Sequence, residues 1–383
     1  MVRRIHILLA AKSSHSITRI ATEYANAFVA RGIDVIVSYP IIGFLDHLQW
    51  DAARDTSFWM IRIIRRWWRM LRAAVQSMRS GRGFGFAHDA LDSRVRVRRI
   101  LALPCARRMP DADVLLVMQN YLIPRLLMLS PQKGTVIGSV HVDYRAALAD
   151  PVGAREWWEQ FTRIEQRLSV PRFAVSRAAK EGAEALGIAV ERVIHNGINC
   201  TEFHPIQARV DQQRALRILL YCGTIPAKGQ AFGCAVLRAV RSAMTRAGTF
   251  ASLGDVFDEH RTLFDVHHGY CSGRAYVQAY QDADIVIYPS LRDAFPAPPL
   301  EALACGAALA TTRVQGVEEW AVHGENCLVA EPNDVDAMTR NVLRLITDDA
   351  LRARLRAGGL QTARQYDWAS SAERLITMMN AHA

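Results

Sequence analysis

The stretch from Ile285 to Thr312, IVIYPSLRDAFPAPPLEALACGAALATT, restricts the possible folds of this chain more than any other. Ile285-Val286-Ile287-Tyr288 is a short apolar run closed by Pro289-Ser290, which predicts a strand buried on both faces of a parallel sheet. After a loop, Pro298-Pro299 stands where proline is tolerated, just inside a helix start. Leu300 to Cys305 then propagates the helix until Gly306 stops it. A second apolar run, Ala307 to Thr311, follows at once. Such a strand–loop–helix–strand unit opens its loop and helix N-terminus at the carboxyl end of a strand. Open α/β sheets bind ligands there, and free backbone N–H groups favour anions. An anionic ligand is expected, framed by Asp293 in the loop and by Glu301, eight residues on in the first helical turn. Taken alone, the two acids also fit a turn aspartate and a glutamate complementing the helix dipole.

At 383 residues the chain suits two α/β domains rather than one core. Half its residues are hydrophobic (50%) and 22% charged, which supplies substantial cores and argues against wholesale disorder. The cysteines, at 105, 200, 222, 234, 271, 305 and 327, are odd in number and lack any CxxC or Cys/His spacing. A zinc site and a disulfide framework are therefore not expected, and the setting reads as reducing and cytoplasmic. The opening MVRRIHILLA reads as a first strand from Ile5 to Ala10 rather than a signal peptide. No apolar run is long enough to span a membrane.

Thr18 to Ala30 continues as an amphipathic helix and Val35 to Val37 as a second strand, so residues 5–38 form a right-handed parallel βαβ unit. Its first loop, Ala11 to Ser16, has no glycine, which removes the dinucleotide fingerprint and with it a Rossmann dehydrogenase. Residues 58–72, FWMIRIIRRWWRMLR, space Arg62, Arg65, Arg66, Arg69 and Arg72 helically against Met60, Ile64, Trp67, Trp68 and Leu71. That pattern fits a helix lying on an anionic membrane on the inner face of the cell, or equally one packed on the first sheet with solvated arginines. From Arg62 to Arg108, thirteen arginines face Asp89 and Asp92 (13 − 2 = +11), which accounts for the whole net charge of +10. Nothing resembling a nucleic-acid motif accompanies this basic segment of 58–108, and no nucleic-acid partner is expected.

Buried-strand patterns return at Val114 to Met118 and Thr135 to Val140, the latter leading to His141 at a strand's carboxyl end. Alone, such a histidine is more often a satisfied polar residue than a catalyst. Asn196-Gly197 is a turn and Pro205 begins a linker, so the boundary falls near 205–213. Arg217 to Cys222 predicts the next strand. It leads to Gly223-Thr224-Ile225-Pro226-Ala227-Lys228-Gly229, where glycine admits a ligand close to the backbone and Lys228 can neutralise a phosphate or stand as a surface lysine. Asp282-Ala283-Asp284 flows straight into a buried strand and reads as structural, not as a metal site.

Several segments together resemble the retaining glycosyltransferases of family four. In that family a strand ending in Pro-Ser leads to Glu-x7-Glu and then Leu-Glu-Ala-x-Ala-Cys-Gly; here the motif is Asp293-x7-Glu301. FAVSRAAKEGAEALGI and RVIHNGINCTEFHP over 173–205, and Gly316-Val317-Glu318-Glu319 with Gly324 to Val329, resemble the family's other segments. The resemblance spans nearly the whole chain and is weakest over 40–110. It implies a GT-B fold: two Rossmann-like doubly wound domains facing across a cleft. These would be an acceptor domain over 1–207, a donor domain over 208–365, and a helix over 366–383 crossing back to the first. It implies transfer of a sugar from a nucleotide-diphosphate donor to a glycan or lipid-linked glycan acceptor, with no cofactor and no metal. Lys228, Asp293 and His141 would be catalytic. Gly223, Thr224, Lys228, Asp293, Phe295, Pro296, Ala297, Leu300 and Glu301 would bind the donor, Glu301 on the ribose and Asp293 on the sugar. Thr224 stands where the family has arginine, and Asp293 where it has glutamate. A nucleotide-sugar epimerase of the same fold, or a catalytically inactive sugar- or membrane-binding relative, are the rival readings.

Overall fold

The computed structural model describes residues 1–9, 15–40, 91–100, 111–123, 134–148, 155–206, 215–223 and 225–383. The basic helix read over 58–72, most of the first loop, the linker after 206 and Thr224 lie outside the described residues. The chain packs as two units. The first comprises 1–174, 180–194 and 372–383, and the second 175–179 and 195–371.

In the first unit, β1 (Arg4–Leu8), α1 (His15–Val29) and β2 (Asp34–Pro40) form the expected parallel βαβ start. They are followed by β3 (Arg96–Ile100), β4 (Val114–Val117), β5 (Thr135–Val140), α2 (Tyr144–Leu148), α3 (Arg155–Glu165), β6 (Arg172–Ala174), α4 (Arg177–Glu184), whose residues up to Ala179 belong to the second unit, and β7 (Arg192–Val193). Among the described residues the strands make one seven-stranded parallel sheet in the order β3-β2-β1-β4-β5-β6-β7. β4 is buried along its whole length, because a central parallel strand is covered on both faces.

β3 corrects the reading of 58–108 as one basic amphipathic segment. RVRRI at 96–100 is an edge strand on β2, with Arg96 on Asp34 at 2.5 Å and Arg94 on Asp92 at 2.8 Å. The period of two in Val95-Arg96-Val97-Arg98 suits a strand, and charged side chains blunt an exposed sheet edge.

The second unit holds β8 (Leu216–Tyr221), α5 (Gln230–Ala243), β9 (Gly248–Leu253), β10 (Val266–His267), α6 (Gly273–Asp282), β11 (Ile285–Tyr288), α7 (Ala297–Ala304), β12 (Ala308–Thr312), β13 (Leu328–Ala330), α8 (Val335–Thr347) and α9 (Asp349–Arg364). Its sheet is six-stranded and parallel, in the order β10-β9-β8-β11-β12-β13. Ile285 and Ile287 of β11 lie opposite Ile218 and Leu220 of β8, all fully buried with Val236 of α5 and Leu345 of α8. Each such side chain contributes roughly 1.5–3 kcal/mol by leaving water. Asp334 and Asp348 cap α8 and α9 by accepting from Ala337 and Leu351 N–H groups. The paired acids before β11 are structural: Asp284 accepts the Arg217 N–H at 2.9 Å, and Asp282 pairs with the Arg217 guanidinium at 3.3 Å.

Packing divides the chain elsewhere than the linker composition suggests. The turn after residue 194 stays with the second unit because Ile198 bridges Asp367 and donates its N–H to Tyr366 at 2.6 Å. The last helix, α10 (Trp368–His382), has its residues from 372 on in the first unit. There Asn380 accepts the Val2 N–H at 2.7 Å, and the His382 carbonyl accepts from Thr135 at 2.5 Å.

Candidate active site

In the second sheet the strand order reverses between β8 and β11, the kind of switch point at whose carboxyl end open α/β sheets bind ligands. Both loops carry predicted site residues. After β8, Pro226–Lys228 makes one 3₁₀ turn, and Gly229 turns into α5 with φ 65°, a conformation open to glycine at no cost. A Cβ on Gly229 would lie 2.0 Å from the Pro289 carbonyl oxygen. The loop after β11 is laced to this turn: the Ala227 carbonyl accepts from Leu291 N–H at 2.8 Å and from the Ser290 hydroxyl at 3.0 Å.

This lacing brings Lys228 onto Asp293, and the lysine Nζ donates to Asp293 Oδ2. The same Oδ2 accepts from the Tyr288 hydroxyl at 2.8 Å. Tyr288 is fully buried at the end of β11, and its ring lies 5.4 Å from that of Tyr221 at the end of β8. Burial, and then the neighbouring Asp293 charge, hold the Tyr288 phenol far above its ordinary pKa, so it remains a donor. Gly223 serves the lysine as well: a Cβ there would meet Lys228 Cβ and Cγ at 2.9 Å.

Glu301 is 1% exposed. Its Oε2 accepts from the Tyr276 hydroxyl of α6 at 2.7 Å. Since that proton is committed, the 3.2 Å contact between Tyr276 and Tyr280 hydroxyls is donated by Tyr280.

Two expectations about α7 need correction. The helix starts at Ala297, so Glu301 lies past the first turn and does not complement the dipole there. Nor do free N–H groups at the N-terminus of α7 form an anion site. The first four N–H positions of a helix are the unsatisfied ones. Here they fall on Pro296, Ala297, Pro298 and Pro299, of which only Ala297 has an N–H to donate. Leu300 is fully buried in the core of the unit.

Phe295 is also buried, stacked on His195 at 5.0 Å and 21° and beside Tyr366 at 5.7 Å. His195 is in turn held by Glu319 at 3.1 Å, and Glu319 accepts the Arg177 N–H at 2.7 Å and the Arg177 guanidinium at 3.2 Å. Burial alone would raise the Glu319 pKa; the bonds from His195 and Arg177 outweigh it and hold the carboxyl below 4.5.

His141 belongs to the first unit, just past the end of β5. Its Nε2 is 3.0 Å from Ser139 Oγ, and its Nδ1 is shielded from solvent with no hydrogen-bond partner among the described residues. Burial pulls its pKa down to about 4, so the ring is neutral at neutral pH.

The sequence reading assigned no site role to Tyr288, Tyr276, His195 or Glu319. Tyr288 had one signal: a hydroxyl closing an otherwise apolar buried strand. The others sit on separate elements and acquire roles only through packing.

With two doubly wound parallel units and a cation beside a carboxylate at a switch point, the class is set by comparison. Anabaena HepE, solved in complex with UDP and glucose, matches 99% of this chain and 100% of its own at TM-score 0.71 and 13% identity. Sucrose-phosphate synthase from Thermosynechococcus elongatus matches 99% and 98% at TM-score 0.66 and 15% identity. The fold is GT-B.

Residues 266–362, which carry Asp293 and Glu301, match the family described as Glycosyl transferases group 1. O-antigen chain mannosyltransferase B of Escherichia coli is 36% identical over 124 residues, 32% of this chain and 28% of that one. D-inositol 3-phosphate glycosyltransferase of Corynebacterium urealyticum is 30% identical over 102 residues, 27% of this chain and 24% of that one. The chain thus spans less than a third of the length of the curated relatives it matches.

Proposed function

We propose that this chain is a retaining glycosyltransferase that moves a sugar from a nucleoside-diphosphate donor to a hydroxyl of a glycan or lipid-linked glycan, in cell-surface polysaccharide or glycolipid assembly. One observation carries the reading: Lys228 meets Asp293 where the strand order of the second sheet reverses, beside α7 of the group 1 stretch. A departing diphosphate gains negative charge as the glycosidic bond breaks, and fixed positive potential stabilises that charge without a nucleophile. Lys228 supplies it, joined by the Ala297 N–H and the α7 dipole, so the chemistry proceeds without a metal. When the diphosphate arrives, Lys228 exchanges its carboxylate partner for phosphate oxygens, and Asp293 turns to the donor sugar. Glu301, oriented by Tyr276, accepts from the ribose hydroxyls, and His141 contacts the sugar.

The test is incubation with UDP-glucose and GDP-mannose, with and without a glycan acceptor and with EDTA, followed by NMR of the new anomeric centre. Transfer with retained configuration, unaffected by EDTA, is expected. Release of nucleotide and free epimerised sugar without an acceptor would establish the epimerase instead. Bound donor that is never consumed would mark an inactive relative.

A further inference from the structure

The surroundings of His141 decide which of its ring nitrogens carries the proton. Ser139, near the end of β5, is 3% exposed and makes two side-chain contacts. Its Oγ lies 2.9 Å from the Val117 carbonyl oxygen of β4 and 3.0 Å from His141 Nε2. A carbonyl only accepts, so the single hydroxyl proton goes to Val117. The contact with His141 then needs a hydrogen of its own, and only an Nε2–H provides it.

The strand end is held in place from the other side as well. The Ser139 N–H donates to Asn120 Oδ1 at 2.8 Å, and Asn120 Nδ2 faces Glu165 Oε2 at 3.4 Å. Arg172 anchors that carboxylate at 2.8 Å, and both charged side chains are buried. Gly138 makes room for Asn120, since a Cβ there would lie 2.8 Å from its Oδ1.

We propose that Ser139 is a positioning residue: its hydroxyl fixes His141 as the Nε2–H tautomer and so turns Nδ1 into a hydrogen-bond acceptor for a ligand hydroxyl. The buried Nδ1, which has no partner among the described residues, is the acceptor left waiting. A neutral ring held this way orients a sugar hydroxyl through its lone pair and neither donates to it nor protonates it. The ligand half of this assignment rests on the glycosyltransferase reading; the tautomer half does not.

The experiment is ¹⁵N NMR of the histidine rings in the full chain, with His141 assigned by its disappearance in His141→Gln. In the donor-free wild type, His141 is expected to show a protonated Nε2 and a bare Nδ1. In Ser139→Ala the two tautomers are expected to mix, because no acceptor remains for Nε2–H. A wild-type ring protonated at Nδ1 overturns the proposal without recourse to any variant, and so does a spectrum unchanged by Ser139→Ala.

UDP-glucose and GDP-mannose, added against UDP and GDP, test the ligand half. Only the sugar-bearing nucleotide that binds is expected to move the Nδ1 resonance. Binding by thermal shift with Nδ1 unmoved defeats that half. A chain that binds none of the four nucleotides defeats the glycosyltransferase reading while leaving the tautomer result standing.

Discussion

Lys228 is the residue on which most depends, because the prolines at the head of α7 remove donors that a helix N-terminus ordinarily offers. Replacing it by alanine is expected to lower kcat about a hundredfold or more, on the order of 3 kcal/mol for one preorganised charge. The melting temperature should change little, since the lysine is part-exposed and no core contact is lost. Turnover within about threefold of wild type, in a variant that melts normally, would remove Lys228 from the phosphate site.

Glu301 differs in being buried, with its partner Tyr276 part-exposed. Glu301→Gln is expected to raise the donor KM, because an amide accepts from ribose hydroxyls less well than a carboxylate. Tyr276→Phe should do the same more weakly through loss of the 2.7 Å bond that orients the acid. Donor kinetics unchanged in a folded Glu301→Gln protein would take the residue out of the site.

Among elements, the loop between β11 and α7 is held at both ends. Its start is laced to the Ala227 carbonyl, and its end is pinned by Phe295 on His195, with Glu319 behind. Gly316 closes against it: its N–H donates to the Asp293 carbonyl at 2.9 Å, and a Cβ there would meet the Ala294 carbonyl carbon at 2.4 Å. The depressed pKa of Glu319 gives this arrangement a pH dependence of known sign. Its carboxylate contributes stability above the unfolded value of 4.5, and that contribution is lost as pH falls through the lower folded value. The melting-temperature gap between wild type and Glu319→Gln should therefore be widest above pH 4.5 and shrink as pH falls below it. A gap that stays constant across that range would mean the carboxylate does not titrate as a buried partner of Arg177 and His195.

For the whole molecule, charge is the open lever. The +11 of residues 62–108 exceeds the net +10 of the chain, and among the described arginines Arg94 and Arg96 are already paired within the first unit. If 58–72 lies on lipid, the protein is expected to co-sediment with anionic vesicles but not neutral ones, and added salt should weaken that binding. Equal binding to both, or to neither, would assign the segment to packing. Among the described residues no helix is long and apolar enough to cross a membrane.

The sequence by itself determined what depends on short range. β5 spans Thr135–Val140 and β11 Ile285–Tyr288 as periodicity indicates, and Gly306 ends α7 with φ 75°, because strand burial, helix propagation and a left-handed stop are set by neighbouring residues. The alternation of such elements, with the motif at 285–312, sufficed for two parallel α/β units. Tertiary structure alone decided the order of strands and therefore the switch point between β8 and β11. It also decided that Lys228 and Asp293, 65 residues apart, share one hydrogen bond with Tyr288 beside them, and that Tyr276 holds Glu301. Those contacts follow from which faces pack together after distant loops close, a free-energy balance over the whole unit that no local window of sequence contains.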